Sequence, residues 1–140
     1  MIAYPTEAVW GLGCDPWNQN AVLRLLSIKK RPVGKGLILV AASVDQIFPI
    51  YKNLSRPQQD QLDKAWPSPR TWLIPDPDNW IPMLIKGAHT SVAVRISDHP
   101  LVSELCQRFG GPIVSTSANT AGKAEIRSRL RLLIALGAKL

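Results

Sequence analysis

Pro112-Ile113-Val114-Ser115-Thr116-Ser117-Ala118-Asn119 is an apolar run that passes directly into hydroxyl and amide side chains. Gly110-Gly111 stands just ahead of it as a stop, so the run reads as a short buried strand. Side chains alternate along extended chain, which puts Ser115, Ser117 and Asn119 on one side. In an open α/β sheet, ligands bind beyond the carboxyl ends of strands. This strand end is therefore a candidate site. Its hydroxyls and amide suit phosphate oxygens, a ribose or an adenine edge. The same residue types also build turns and helix caps.

Working outward, strands and helices alternate. Upstream, Asp98 reads as the cap of a helix with Pro100 in its first turn and Leu101, Val102, Leu105, Cys106 and Phe109 on its apolar face. Residues 92–96 and 71–74 are strand-like, and Ser55-x-x-Gln58 is a capping box opening a helix to about Trp66. Residues 36–40 form a continuous apolar run, as in a buried strand. Asn18 or Asn20 caps a helix through Ala21, Val22, Leu25, Leu26 and Ile28, ended by Pro32 and Gly34. Residues 1–4 read as a strand, and residues 5–16, with two glycines, an Asp and two prolines, as a loop. Residues 125–136 are amphipathic, with Gly137 as a stop. The pattern predicts one α/β domain (α+β in some schemes) over residues 1–140, with a twisted mixed β-sheet flanked by helices.

Ser27-Ile28-Lys29-Lys30-Arg31-Pro32 is the second segment of interest. Arg31 precedes a proline, which pushes it toward extended backbone. Extended chain would turn Lys29 and Arg31 to one side and Lys30 away. Two cations on one point suggest an anion between them, with Arg supplying a planar fork and Lys a point charge. A basic helix C-terminus complementing the helix dipole would look the same. In Ser91-Val92-Ala93-Val94-Arg95-Ile96, Arg95 shares a face with Ser91 and Ala93. A guanidinium there needs either an internal carboxylate or an anionic substrate.

The chain has 140 residues, 17 Lys and Arg against 10 Asp and Glu, and a formal net charge of +7. Such charge favours anionic partners such as nucleotides or RNA. It is concentrated in Arg24, Lys29, Lys30, Arg31 and Lys35, where no acid occurs, and in Lys123, Arg127, Arg129, Arg131 and Lys139, opposed by Glu125. Cys14, Cys106, His89 and His99 have no metal-ligand spacing, and no Ser-His-Asp layout or paired carboxylates are evident. No apolar run reaches the length of a membrane span, and the N-terminal stretch lacks a signal-peptide layout, so a reducing cytoplasm is expected. Chemistry by positioning anions is favoured over chemistry by a nucleophile.

Taken in order, Tyr4-Pro5-Thr6-Glu7, Lys29-x-Arg31-Pro32, Lys35-Gly36-Leu37-Ile38, Ala93-Val94-Arg95, Asp98-His99-Pro100-Leu101 and Ser115-Thr116-Ser117-Ala118-Asn119 resemble the YrdC family of threonylcarbamoyl-AMP synthases. The resemblance implies formation of threonylcarbamoyl-AMP and pyrophosphate from L-threonine, bicarbonate and ATP. The product would feed tRNA threonylcarbamoyladenosine modification through a downstream threonylcarbamoyl transferase complex, with tRNA itself a possible partner. The family tetrad falls on Lys29, Arg31, Ser117 and Asn119 as catalytic residues. Those four with Ser115 would bind ATP, and Thr6 and Arg95 would bind threonine. Magnesium would travel with ATP, with no protein-bound metal. The alternative implied is a nucleotide- or RNA-binding remnant of the fold without catalysis. Against the family pattern, the chain is expected to lack an N-terminal helix and a C-terminal segment. It also carries Ala41-Ala42 where many members have a His, and Pro67-Ser68-Pro69-Arg70 where Pro-Gly-Pro and an apolar residue are usual.

Overall fold

The computed structural model describes residues 1–6 and 9–139; Glu7 of the Tyr4-Pro5-Thr6-Glu7 motif lies outside the described residues. In chain order come β1 (Ile2–Pro5), β2 (Trp10–Cys14), α1 (Gln19–Lys29), β3 (Ile38–Ala41), α2 (Phe48–Tyr51), α3 (Arg56–Ala65), β4 (Trp72–Pro75), α4 (Met83–Lys86), β5 (Ser91–Ile96), α5 (Pro100–Phe109), β6 (Ile113–Ser117) and α6 (Arg129–Leu136). Among the described residues the six strands make one sheet in the order β1-β2-β6-β3-β5-β4. The β3–β5 pair is parallel and the others antiparallel, so the sheet is mixed, as expected.

Alternation along the strands divides the sheet into two faces. On one, Leu12, Leu39, Val92, Val94 and Val114 pack with Val22, Leu25 and Leu26 of α1 and with Ile47, Ile50, Leu62 and Ile85 in the main core. Each such side chain contributes roughly 1.5–3 kcal/mol on burial. On the other face Tyr4, Val40 and Ile113 pack under Val102 and Cys106 of α5. Helix α5 covers that second face at one end only. The positions beyond it, Gly11, Ser117, Ser115, Ile38 and Ala93, follow one another across the sheet by strand register and line an open cleft or its extension.

Three expectations need correction. Residues 10–14 are a central strand rather than part of a loop, because Gly11 and Gly13 make room for a neighbouring ring and do not make a turn. Asp98 does not cap α5. The N-cap is His99, which has no side-chain cap bond, and its backbone N–H donates to Ser97 Oγ at 3.1 Å. The amphipathic segment at 125–136 becomes helical only at Arg129, where Ser128 caps by accepting from the Arg131 N–H. The capping box at Ser55 and Gln58 is present as read.

Candidate functional site

A cleft of about 360 Å3 opens where β2, β6 and the start of β3 meet. Thr6, Arg31, Arg95, Ser115, Ser117 and Glu125 all line it. Five residues singled out from sequence are thus brought together, from segments up to 111 positions apart. Lys29 and Asn119 are not in the lining. They stand behind it.

Lys29 ends α1, and Lys30 follows as its C-cap in the left-handed region at φ 51° and ψ 42°. The Lys30 N–H donates to Ser27 O and the Arg31 N–H to Leu26 O, the paired bonds of a Schellman motif. This left-handed step, and not extension enforced by Pro32, is what separates Lys29 from Arg31. Lys29 is turned inward, only 4% exposed. Its ammonium donates to Ser117 O at 2.6 Å, Asn119 O at 2.7 Å and Asn119 Oδ1 at 3.2 Å. Its carbonyl accepts from the Ala121 N–H at 2.8 Å. All three ammonium hydrogens therefore have an acceptor on the 117–119 loop. Burial, helped by the nearby Arg31 charge and opposed by Glu125, lowers its pKa to about 8.

Asn119 completes the same loop. Its Oδ1 accepts from Lys29 and from Ser117 Oγ, and its Nδ2 donates to Lys123 O at 2.8 Å. Arg31 behaves differently. Its Nε donates to Gly36 O at 2.9 Å, and its two terminal nitrogens have no hydrogen-bond partner among the described residues. It also borders a second cavity of about 500 Å3, lined further by Lys35, His89, Thr90 and Ser91. Arg31, Leu37 and Ile38 are common to both cavities, so they form one extended cleft with Arg31 at its waist.

Arg95 stands on β5 and lines the first cavity. Ion pairs among the described residues are Arg56–Asp60, Lys86–Asp76 and Arg108–Glu104, so no carboxylate among the described residues pairs with Arg95. Its Nε is buried without a partner. A buried unpaired guanidinium donor facing a cleft is suited to an anionic ligand. Thr6 Oγ1 donates to Val9 O at 2.6 Å, and Tyr4 Oη lies 2.6 Å from Ser115 Oγ.

Lys35, His89 and Ser91 form one wall that is not evident from sequence, and neither is the buried Lys86–Asp76 pair at 3.0 Å, which anchors the loop carrying His89. A signal for that wall was present in Gly36 and Gly87, both at positive φ. Gly36 lies against the Ile85–Lys86 backbone and Gly87 against that of Gly34 and Gly36, closing Leu37 N–H to Ile85 O and Ala88 N–H to Gly34 O. Among the described residues no group of three His, Cys, Asp or Glu is placed to hold a metal ion. Glu125 is the sole carboxylate among the described residues lining the first cavity. That donor set fits a cation carried on ligand phosphates rather than one held by a protein cage.

Fold and cleft together define a mixed-sheet α/β domain that presents guanidinium and hydroxyl groups in a cleft at one strand end. The Sua5/YciO/YrdC family model, described as telomere recombination, matches residues 1–140. The threonylcarbamoyl-AMP synthase of Pseudomonas aeruginosa is 55% identical over 132 residues, covering 94% of this chain and 70% of that protein. The crystal structure of P. abyssi Sua5 complexed with L-threonine superposes with a TM-score of 0.87 at 32% identity, over 99% of this chain and 40% of that one. E. coli YciO shares the fold, with a TM-score of 0.82 at 18% identity. The chain belongs to the Sua5/YciO/YrdC family.

Proposed function

We propose that this chain is an L-threonylcarbamoyladenylate synthase, a nucleotidyltransferase that makes threonylcarbamoyl-AMP and pyrophosphate from L-threonine, bicarbonate and ATP. The observation that carries the reading is the meeting of Arg31, Arg95, Thr6, Ser115 and Ser117 on one cleft, with the Arg95 Nε buried and unpaired. The 55% identity to a threonylcarbamoyl-AMP synthase supports it.

In this reading the threonine carboxylate lies on the Arg95 fork, with Thr6 beside it. The threonine amine bonds to the carbon of bicarbonate and water leaves, which gives the N-carboxylate. A carbamate oxygen then attacks the ATP α-phosphorus in line, and the bond to the leaving pyrophosphate breaks. The free terminal nitrogens of Arg31 offset charge on the phosphoryl oxygens. Ser115 and Ser117 hold ligand oxygens, while Lys29 and Asn119 fix the loop that presents Ser117. The second cavity, with Lys35 and Ser91, gives the nucleotide room to extend past Arg31. Magnesium bound to ATP would supply further phosphate neutralisation.

The product is a reactive mixed anhydride, and in this reading a threonylcarbamoyl transferase acting on tRNA consumes it. The partners proposed are therefore ATP, L-threonine, bicarbonate and that downstream complex, with tRNA as a possible direct ligand of the basic surface. A cytoplasmic setting goes with these substrates; no helix among the described residues is long and apolar enough to cross a membrane.

The test is pyrophosphate release that depends on both L-threonine and bicarbonate. Arg31→Ala is expected to reduce it by about two orders of magnitude, the scale of losing one charge-stabilising donor. Undiminished release in Arg31→Ala and Lys29→Ala would overturn the assignment.

A further inference from the structure

We infer that Tyr4 is a positioning residue for the cleft: its phenol fixes the Ser115 hydroxyl so that Ser115 presents a hydrogen-bond donor to an anionic oxygen of the substrate. The inference deepens the proposed function and rests on it for the identity of the ligand.

Tyr4 stands on β1 and Ser115 on β6, with β2 between them. In register, Tyr4 pairs with Gly11, and Gly13 pairs with Ser115. A tyrosine ring can lie across a neighbouring strand only where that strand projects no side chain. A Cβ on Gly11 would come within 3.1 Å of the Tyr4 ring, and one on Gly13 within 2.9 Å of the ring and 2.8 Å of Val114 O. The Gly-x-Gly of β2 is therefore a gap through which Tyr4 Oη reaches to 2.6 Å from Ser115 Oγ. This accounts for a motif that is neither a phosphate loop nor a turn.

The direction of that bond follows from counting hydrogens. Tyr4 is 3% exposed, and among the described residues Ser115 Oγ is the partner its hydroxyl has. Were Ser115 the donor, the phenolic hydrogen would be buried with no acceptor. The favourable arrangement has Tyr4 donating and Ser115 accepting. The Ser115 hydrogen is then free to point elsewhere, and Ser115 is half-buried in the cleft lining. Burial pushes the phenol up to about 12, so it remains a donor at any physiological pH.

Ser115 and the unpaired Arg95 Nε thus both offer donors to one cleft. Thr6 has given its hydrogen to Val9 O and offers a lone pair. The cleft thus carries both donors and an acceptor. A carboxylate oxygen or a phosphoryl oxygen satisfies the donors, and the experiment separates the two.

Tyr4→Phe, Ser115→Ala and the double variant would be titrated by calorimetry with ATP alone and with L-threonine alone. Ser115→Ala is expected to weaken one ligand about tenfold and Tyr4→Phe to weaken the same ligand about 3–10-fold. The double variant should match Ser115→Ala within about twofold. Loss confined to L-threonine identifies the carboxylate, and loss confined to ATP a phosphate. Additive losses, or an unaffected Tyr4→Phe beside a weakened Ser115→Ala, overturn the inference.

A second readout is independent of ligand. Proton NMR of the wild-type chain should show a slowly exchanging Tyr4 hydroxyl resonance with a through-space contact to the Ser115 methylene. Its absence sinks the Tyr4 inference whatever binds. If it is present and the wild-type chain binds neither ligand, the synthase reading fails while the hydroxyl polarity is upheld.

Discussion

The Lys29 ammonium lies 2.6 Å from the Ser117 carbonyl oxygen, and the two residues are joined through backbone rather than through a shared ligand. Two motifs 88 positions apart are thereby one structural unit. Lys29 supplies the donors that hold the strand-end loop, and Ser117 supplies the cleft wall.

Removing that ammonium should therefore cost stability before it costs chemistry. Lys29→Met keeps the length of the side chain and leaves the acceptors of Ser117 and Asn119 without their donor. With each buried acceptor worth about 1–3 kcal/mol when orphaned, a loss of about 2–4 kcal/mol is expected in urea denaturation. A loss below about 0.5 kcal/mol would mean the loop is held by other contacts.

The lowered pKa of Lys29 gives this unit a pH dependence of known sign. The folded value is about 8 and the ordinary value 10.5. Between them the unfolded chain binds a proton that the folded chain has released, so unfolding free energy gains with pH across that window. The difference in stability between wild type and Lys29→Met should rise from pH 8 to pH 10. Site order should move the opposite way. A neutral amine has two hydrogens for three acceptors, so ATP affinity is expected to fall above about pH 8. A flat stability difference, measured by denaturation at half-unit pH steps, would show that Lys29 keeps its proton.

Arg95 makes a separable prediction. Lys at this position retains the charge but cannot offer a planar fork. Arg95→Lys should weaken L-threonine binding about tenfold or more and leave ATP binding within about twofold, as read by calorimetry. Equal weakening of both ligands would place Arg95 on the phosphates instead.

Much of this architecture was legible in the sequence where local rules act alone. The capping box at Ser55, the apolar run at residues 36–40 and the alternation through Arg95 depend on near neighbours; the box and the alternation form as read, and the run gives a strand shifted to Ile38–Ala41. The cleft-facing set Thr6, Arg31, Arg95, Ser115 and Ser117 was also recoverable. What failed depends on distant partners. Gly11 and Gly13 look like a turn until the Tyr4 ring is placed over them. The extended path expected for Lys29 to Arg31 gives way to a left-handed Lys30, which turns Lys29 inward onto Asn119. His89 and Ser91 gain meaning only when the glycine contact brings their loop against Arg31.

That glycine contact supports the last prediction. Gly87 has φ +66°, and a Cβ there would lie 2.5 Å from Gly36 N and 2.6 Å from Gly34 O. Both obstacles are backbone, so the two loops must part in Gly87→Ala. Gly36 O is the acceptor that aims Arg31 Nε at 2.9 Å, and parting the loops moves it. Thr6, Arg95 and Ser115 lie on other segments and keep their places. Gly87→Ala should therefore weaken ATP binding about tenfold or more while changing L-threonine binding less than about threefold. A destabilisation of about 1–3 kcal/mol is expected alongside it from the left-handed conformation and the clash. If ATP and L-threonine affinities fell together, Arg31 would not be the group that the glycine contact positions.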